Sequence, residues 1–597
     1  MRLLPPIFRG MPATIYYDGD CPFCTKYVGL VRLRDAVGPV ALVDVRTDAE
    51  ARRRMQDAGL DLDQGMVLEH EGQRFWGADA VHHIALLSTA SGAFNAFSAA
   101  VLGQRTLSRL LYPLLRSGRN AALFLLGRQR LAKNGDAELS AFAIFAHAFG
   151  VYAFADMLYA IHAPVIPLIS LLFGGLGLYL LARPRSPRVF ALLVGCMLVG
   201  AIGKMPLQSN HAMLVTFSLG AMVVAALYGW LRGGSWVRFM AAFAPIGRCL
   251  LLTMYFFGVF HKINTGFLNP EVSCAVELWK AMPGPLPLFD PAWWRLTMIY
   301  GTLVGEAAIL LGLLFHRTRH AAVMLGIAFH SMLALSGYGF YLAFSTLTIA
   351  LHLLFIAPGA AQRITSARSW RLLQANAHTL AGPVVLILWA AALVVLADRG
   401  QFTTIALLWL PWPLWLIGLV ARHGRERTGE TTVGPPIWSR TWALNLLSIA
   451  FFANCFMPFL GLKNAQAMNM FANITYEAGR SNHLLLPGPG PFGYLGDVVE
   501  LKAVDGRSFA FSAREGRYMT YYALLDRLDR EPQKTLSFVR NGALLENQTP
   551  ATLAADMREL HPRWFRKWFH FRNFNAHDVQ TCERGFEEIG ATESAAR

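Results

Sequence analysis

The chain has 597 residues, of which 54% are hydrophobic and 15% charged, with a mean hydropathy of +0.37. So apolar a composition excludes a string of ordinary soluble domains and predicts an α-helical polytopic membrane protein with soluble ends. The formal charge of +16 does not point to nucleic acid, because its arginines and lysines are dispersed between apolar runs and form no aromatic-interleaved stripe. Seven cysteines, widely scattered, are too few for a disulfide scaffold.

The first ten residues, MRLLPPIFRG, hold no apolar stretch of secretory length. No cleaved signal is expected, and the N-terminus is placed in the cytoplasm. From Ala13 a strand ATIYY, a turn DGD, a helix opening at Cys21, a strand VALVDV, a charged helix, two short strands and a helix from Ala78 follow one another. This order predicts a thioredoxin-like α/β domain over residues 1–90. Residues 91–140 mix Arg105, Arg109, Arg116 and Arg119 with leucines and phenylalanines, and are expected to lie as an amphipathic linker at the inner membrane interface.

Within the first domain, Asp18-Gly19-Asp20-Cys21-Pro22-Phe23-Cys24 sets a C-x-x-C at a strand-to-helix junction. The helix N-terminus favours a Cys21 thiolate, and Cys24 is placed to resolve a mixed disulfide, so the pair is expected to be a redox-active dithiol. The other chemistry open to it is metal binding, with His82 and His83 as the second ligand pair.

About eleven apolar runs follow, near 141–161, 164–182, 189–203, 212–231, 249–263, 293–315, 320–337, 342–357, 380–398, 402–420 and 441–461. They predict a membrane core over 141–463 with roughly nine to eleven spans. If the first run leaves the cytoplasm, the inner connections carry Arg183, Arg185, Arg188, Arg232, Arg238, Arg248, Arg317, Arg319 and further arginines to Arg427, whereas the outer ones carry only Lys204, Lys262, Lys280, Arg295 and Arg399. That bias predicts an inner-membrane protein with residues 464–597 in the periplasm as a small α+β domain. Cys274 and Cys582 then share the oxidising side, where they are expected to bridge and clamp the tail over the outer face.

Lys262 ends the run CLLLTMYFFGVFHKIN, and Asn210-His211, Glu306 and His330 lie on neighbouring runs. Ionisable residues at membrane depth are costly and mark candidate functional sites, although each alone could be a snorkelling lysine or a hydrogen-bonded core histidine. Lys262, His211 and His330 are expected to converge in the outer leaflet.

Two resemblances add to these readings. YYDGDCPFC and FWGADAVHHI resemble the DCC family of thiol-disulfide oxidoreductase-like proteins over roughly residues 13–90. SNHAMLV from Ser209, GVFHKIN from Gly258, GEAAILLGLLFHRTRH from Gly305, AFHSMLALSGYGFY from Ala328 and MNMFANITYEAGRSNHLLLP from Met468 resemble the vitamin K-dependent gamma-carboxylase-like superfamily, including its HTTM (horizontally transferred transmembrane) members. That likeness implies a reduced quinone, vitamin K-like or a menaquinol, as cofactor. With O₂ it becomes a base strong enough to take a proton from an unactivated carbon, which then adds CO₂. The family's catalytic lysine falls on Lys262, a residue type that can act as a neutral general base when desolvated. Asn210, His211 and His330 fall on positions near the quinone, and Glu306 on an acidic position. The substrate implied is a peptide or small molecule at the periplasmic face. The family has two adjacent lysines where this chain has His261-Lys262.

The sequence thus supports a quinol-using, gamma-carboxylase-like membrane enzyme fused to a thiol-disulfide domain. Two alternatives remain: a transmembrane thiol/quinone relay, and a non-catalytic lipid- or anion-binding or transport protein.

Overall fold

The computed structural model describes residues 13–19, 40–45, 65–87, 135–160, 167–205, 210–231, 236–377, 381–425, 435–504, 518–530 and 535–574, with shorter pieces between them that include Cys24, Leu102, Ser108, Tyr112 and Cys582. The chain divides into two compact units, residues 1–139 with 224–242, and residues 140–223 with 243–597.

In the first unit β1 (Ala13–Tyr17), β2 (Val40–Asp44), β3 (Val67–His70) and β4 (Gln73–Trp76) form one sheet in the order β2-β1-β3-β4. The β1–β2 pair is parallel and the other two are antiparallel. Alternation along β1 sends Ala13 and Ile15 into a core with Leu68 and with Ile84 of α1 (Ala78–Leu87). The core of this unit extends past residue 90. Leu102 belongs to that same core, its carbonyl bonds the His82 ring at 3.0 Å, and Ser108 donates to the Ala78 carbonyl at 3.2 Å. Leu102, with Val101 and Tyr112 beside it, therefore packs on the α/β domain, where apolar surface leaves water.

Among the described residues, the apolar runs are helical: α2 (Gly135–Ala160), α3 (Pro167–Ala182), α4 (Pro187–Lys204), α5 (Asn210–Leu231), α6 (Trp236–Phe260), α8 (Ala292–Leu314), α9 (His316–Ala334), α10 (Gly339–Leu353), α13 (Ala381–Asp398), α14 (Phe402–Trp409) with α15 (Pro411–His423), and α16 (Leu446–Phe456). Between them lie the short α7 (Cys274–Lys280), α11 (Pro358–Ser366) and α12 (Arg368–Ala377). Among the described residues, eight helical segments are long and apolar enough to cross a membrane, or nine if α10 and α11, bent by 114°, make one span. The difference from eleven has local causes. Helix α3 is short, and α9 opens on His316, Arg317 and Arg319, which lower its hydropathy. Helix α10 stops at Leu353 before Pro358, which opens the next helix. Helix α2 is buried almost all round, whereas α8 and α13 leave Val304, Leu311, Val385 and Leu388 exposed, the pattern of a bundle with an inner helix and lipid-facing ones.

In the tail β5 (Val498–Val504), β6 (Tyr518–Thr520), β7 (Leu536–Arg540) and β8 (Ala543–Gln548) pair in the antiparallel order β6-β5-β7-β8. Helix α17 (Tyr521–Arg530) lays Leu524 and Leu528 on Val499, Leu501 and Phe538.

Candidate functional site

The turn at Asp18 and Gly19 is held by its neighbours. The Asp44 carboxylate, at the end of β2, accepts from the Gly19 amide at 3.0 Å, and a Cβ on Gly19 would fall 2.0 Å from that carboxylate. Only glycine fits there. Thr25 donates to the Gly19 carbonyl, and Cys24 is buried. Cys21 lies outside the described residues. His83 stacks on Phe75 with ring centroids 3.7 Å apart, and burial holds its imidazole below the ordinary value.

The membrane core holds a second site. Where α6 ends, Lys262 turns back into the protein with 7% of its surface exposed. It is no snorkelling lysine. Its Nζ donates to the Gly258 carbonyl at 3.0 Å and to both Glu306 oxygens at 2.9 and 2.7 Å, which accounts for all three protons of an ammonium. Glu306 comes from α8, so two helices are joined by a nearly buried ion pair.

That pair lines a cavity of about 320 Å³, within the range of small-molecule pockets. Tyr255, His330, Thr302 and Tyr341 share the wall, which is mostly apolar and rich in methionine: Met254, Met282, Met298, Met332, Met468 and Met470. Methionine walls adapt to irregular apolar ligands. The Tyr255 hydroxyl lies 2.8 Å from His330 Nε2 and 3.1 Å from His352 Nε2. His330 Nδ1 is buried and has no hydrogen-bond partner.

The sequence-predicted residues do not all meet here. Lys262, Glu306 and His330 come together; Asn210 and His211, expected beside them, are not among the lining residues. His211 is buried at the start of α5 with its ring edge-on to Tyr159. Asn210 Oδ1 accepts from the Ala467 and Asn469 amides, and so fixes the loop that carries Met468 and Met470 to the cavity. His261 does not stand in for a second lysine at the cavity; its ring pairs with the Met468 carbonyl at 3.2 Å.

The segment MNMFANITYEAGRSNHLLLP is the lid of this arrangement. Asn264 donates to the Ala472 carbonyl, Asn473 bonds both Val272 and Cys274, and His483 reaches the Phe260 carbonyl at 2.8 Å. Gln466, Met468, Phe471, Asn473 and Ala478 all have positive φ, between 50° and 59°. Non-glycine residues adopt that conformation at a cost, which the asparagine bonds offset, and such strain gathers at ligand sites. Cys274 and Cys582 form the expected disulfide, packed on Phe267 and Ala275 of the cavity wall. Tyr255, Tyr341 and His352 escaped the sequence reading, because a tyrosine or histidine on an apolar helix looks like core until its partners are known.

Among proteins of known family, residues 15–124 match the DCC1-like thiol-disulfide oxidoreductase model. The chain therefore carries a domain of that class, reaching well past residue 90, in agreement with the packing of Leu102 and Ser108. No curated protein and no solved structure matches the chain.

Proposed function

We propose that this protein is an inner-membrane, quinol-using enzyme of gamma-carboxylase-like chemistry, joined in one chain to a cytoplasmic thiol-disulfide oxidoreductase domain. The observation that carries the reading is the Lys262–Glu306 pair set beside His330 in the wall of a methionine-lined cavity. A largely apolar wall in which His330 Nδ1, Trp294 Nε1 and the Tyr341 hydroxyl have no partner suits an aromatic ring bearing polar substituents, and a reduced quinone is such a molecule. When bound, it would supply with O₂ the strong base that the resemblance implies.

The chain's own residues have defined tasks in this reading. The apolar wall excludes water and strengthens every charge inside it. Lys262 holds a proton at Nζ that can pass to Glu306, so the base is the pair and not an isolated amine. His330 orients the ring through Nδ1, while Asn210 and His261 hold the 467–470 loop in place. The substrate is a peptide or small molecule reaching the cavity from the periplasmic face. Cys21 and Cys24 form the redox-active dithiol of the cytoplasmic domain.

Extraction of the purified protein and mass spectrometry should find a bound quinone, and the protein should consume O₂ when supplied with quinol. A preparation showing neither would sink the proposal. Reporter fusions at residue 135 and at the C-terminus should read cytoplasm and periplasm.

A second reading, a thiol/quinone relay, gains from one observation: the Cys274–Cys582 sulfurs lie against the cavity wall. In a relay, Cys274→Ser stops quinone turnover and Lys262→Arg does not; in the carboxylase-like reading the reverse holds.

A further inference from the structure

The hydrogen bonds around Tyr255 fix more than a position. His352 Nδ1 lies 2.7 Å from the Thr348 carbonyl, and a carbonyl can only accept, so that nitrogen carries the hydrogen. In a neutral imidazole Nε2 is then bare and accepts. Tyr255 has one hydroxyl hydrogen and two Nε2 neighbours. If it gave that hydrogen to His330, its oxygen would meet His352 Nε2 lone pair to lone pair. Both contacts are satisfied with neutral rings only when Tyr255 donates to His352 and His330 Nε2 donates to Tyr255. His330 Nδ1 is then left as a bare lone pair, and it is the ring nitrogen with no partner.

Of the other polar groups in the wall, Lys262 spends its three hydrogens on Gly258 and Glu306, the Glu306 carboxylate has only lone pairs to offer, and the Tyr341 hydroxyl and Trp294 Nε1, both buried without a partner, are donors for a ligand oxygen. The arrangement is also built in at the backbone: a Cβ on Gly326 would fall 2.0 Å from His352 Nε2, so α9 leaves a notch in which the ring sits.

We propose that Thr348, His352, Tyr255 and His330 form a one-directional hydrogen-bond chain that locks His330 as an acceptor at Nδ1, so that the cavity prefers ligands presenting a hydroxyl donor to the same ring without one. Tyr255 and His352 are positioning residues in this chain. The inference rests on the proposed function only in taking an aromatic ring as the occupant.

The test uses the full-length protein in nanodiscs with two redox-inert probes, 1-naphthol and 1-methoxynaphthalene, read by quenching of tryptophan fluorescence, since Trp279 and Trp294 line the cavity. Protein-free nanodiscs correct for partition into lipid. The protein should prefer the naphthol by about tenfold, the value of one well-made hydrogen bond. Tyr255→Phe should cut that preference to under about threefold, and Gly326→Ala, which displaces the His352 ring without removing a polar group, should do the same. Solid-state ¹⁵N spectra of histidine-labelled protein, assigned with His330→Asn, should show an unprotonated Nδ1 at His330, becoming a tautomer mixture in Tyr255→Phe.

Equal binding of the two probes, or a His330 protonated at Nδ1, would overturn the chain while leaving quinol turnover untouched. Loss of quinol turnover with the naphthol preference intact would count against the proposed function alone. If neither probe binds, both fail.

Discussion

Removing one partner of the Lys262–Glu306 pair separates a catalytic role from a structural one. Both side chains are almost out of solvent, at 8% and 12% exposure, and the lysine makes three hydrogen bonds. Lys262→Ala leaves an uncompensated carboxylate, a change that costs about 3–5 kcal/mol in buried pairs. Activity lost in that variant alone therefore proves nothing. Lys262→Met with Glu306→Leu removes both charges, and should recover most of the stability because the desolvation cost of the pair disappears with it. Lys262→Arg should also stay folded, since a guanidinium fork suits a carboxylate, but it holds its proton too tightly to exchange it. The expected outcome is a thermal midpoint in detergent that falls for Lys262→Ala and is largely restored in the double variant and in Lys262→Arg. Quinol-dependent O₂ consumption should be absent from all three. A folded Lys262→Arg that retains turnover would refute the reasoning and reduce the pair to a helix clamp.

Other outcomes can be measured independently. The Cys274–Cys582 bridge closes a loop of sequence separation 308, so Cys274→Ser should cost about 2–5 kcal/mol of stability, visible as a lower midpoint and easier proteolysis of the tail; an unchanged midpoint would show the bridge to be dispensable. Burial pulls the Lys463 ammonium down to about 7 from 10.5, with its Nζ held by Asn454 and the Trp568 carbonyl. Between those values the unfolded chain binds more protons than the folded one, so stability gains with rising pH, by up to a few kcal/mol. Lys463→Met should flatten that slope, and an equal slope in both proteins would be the contrary result. In the N-terminal domain, Cys24→Ser should trap mixed disulfides at Cys21, whose thiolate should titrate below the ordinary cysteine value of about 8.5; a Cys21 that titrates normally and traps nothing would leave the domain without redox chemistry.

What the sequence alone determined is what short stretches encode. Apolar runs of helix length specify the membrane helices, because each satisfies its own backbone hydrogen bonds without reference to its neighbours. Strand alternation and the turn chemistry around Asp18 and Gly19 specify the small α/β domain in the same local way. The pairing of Cys274 with Cys582 was also within reach, since the positive-inside pattern leaves both on one side. Tertiary structure decided the rest. That Lys262, just past the end of α6, meets Glu306 of α8, 44 residues on, depends on how the chain packs, and no periodicity records it. His211 reads like His330 in sequence, yet one helix end carries it to Tyr159 and the other histidine reaches the cavity. Tyr255 and His352 became visible only with their partners, because the role of a tyrosine hydroxyl or an imidazole is set by which lone pairs and hydrogens surround it. Leu102 and Ser108 followed the same rule: an amphipathic pattern states that one face will be covered, and only packing sets these two against the α/β domain.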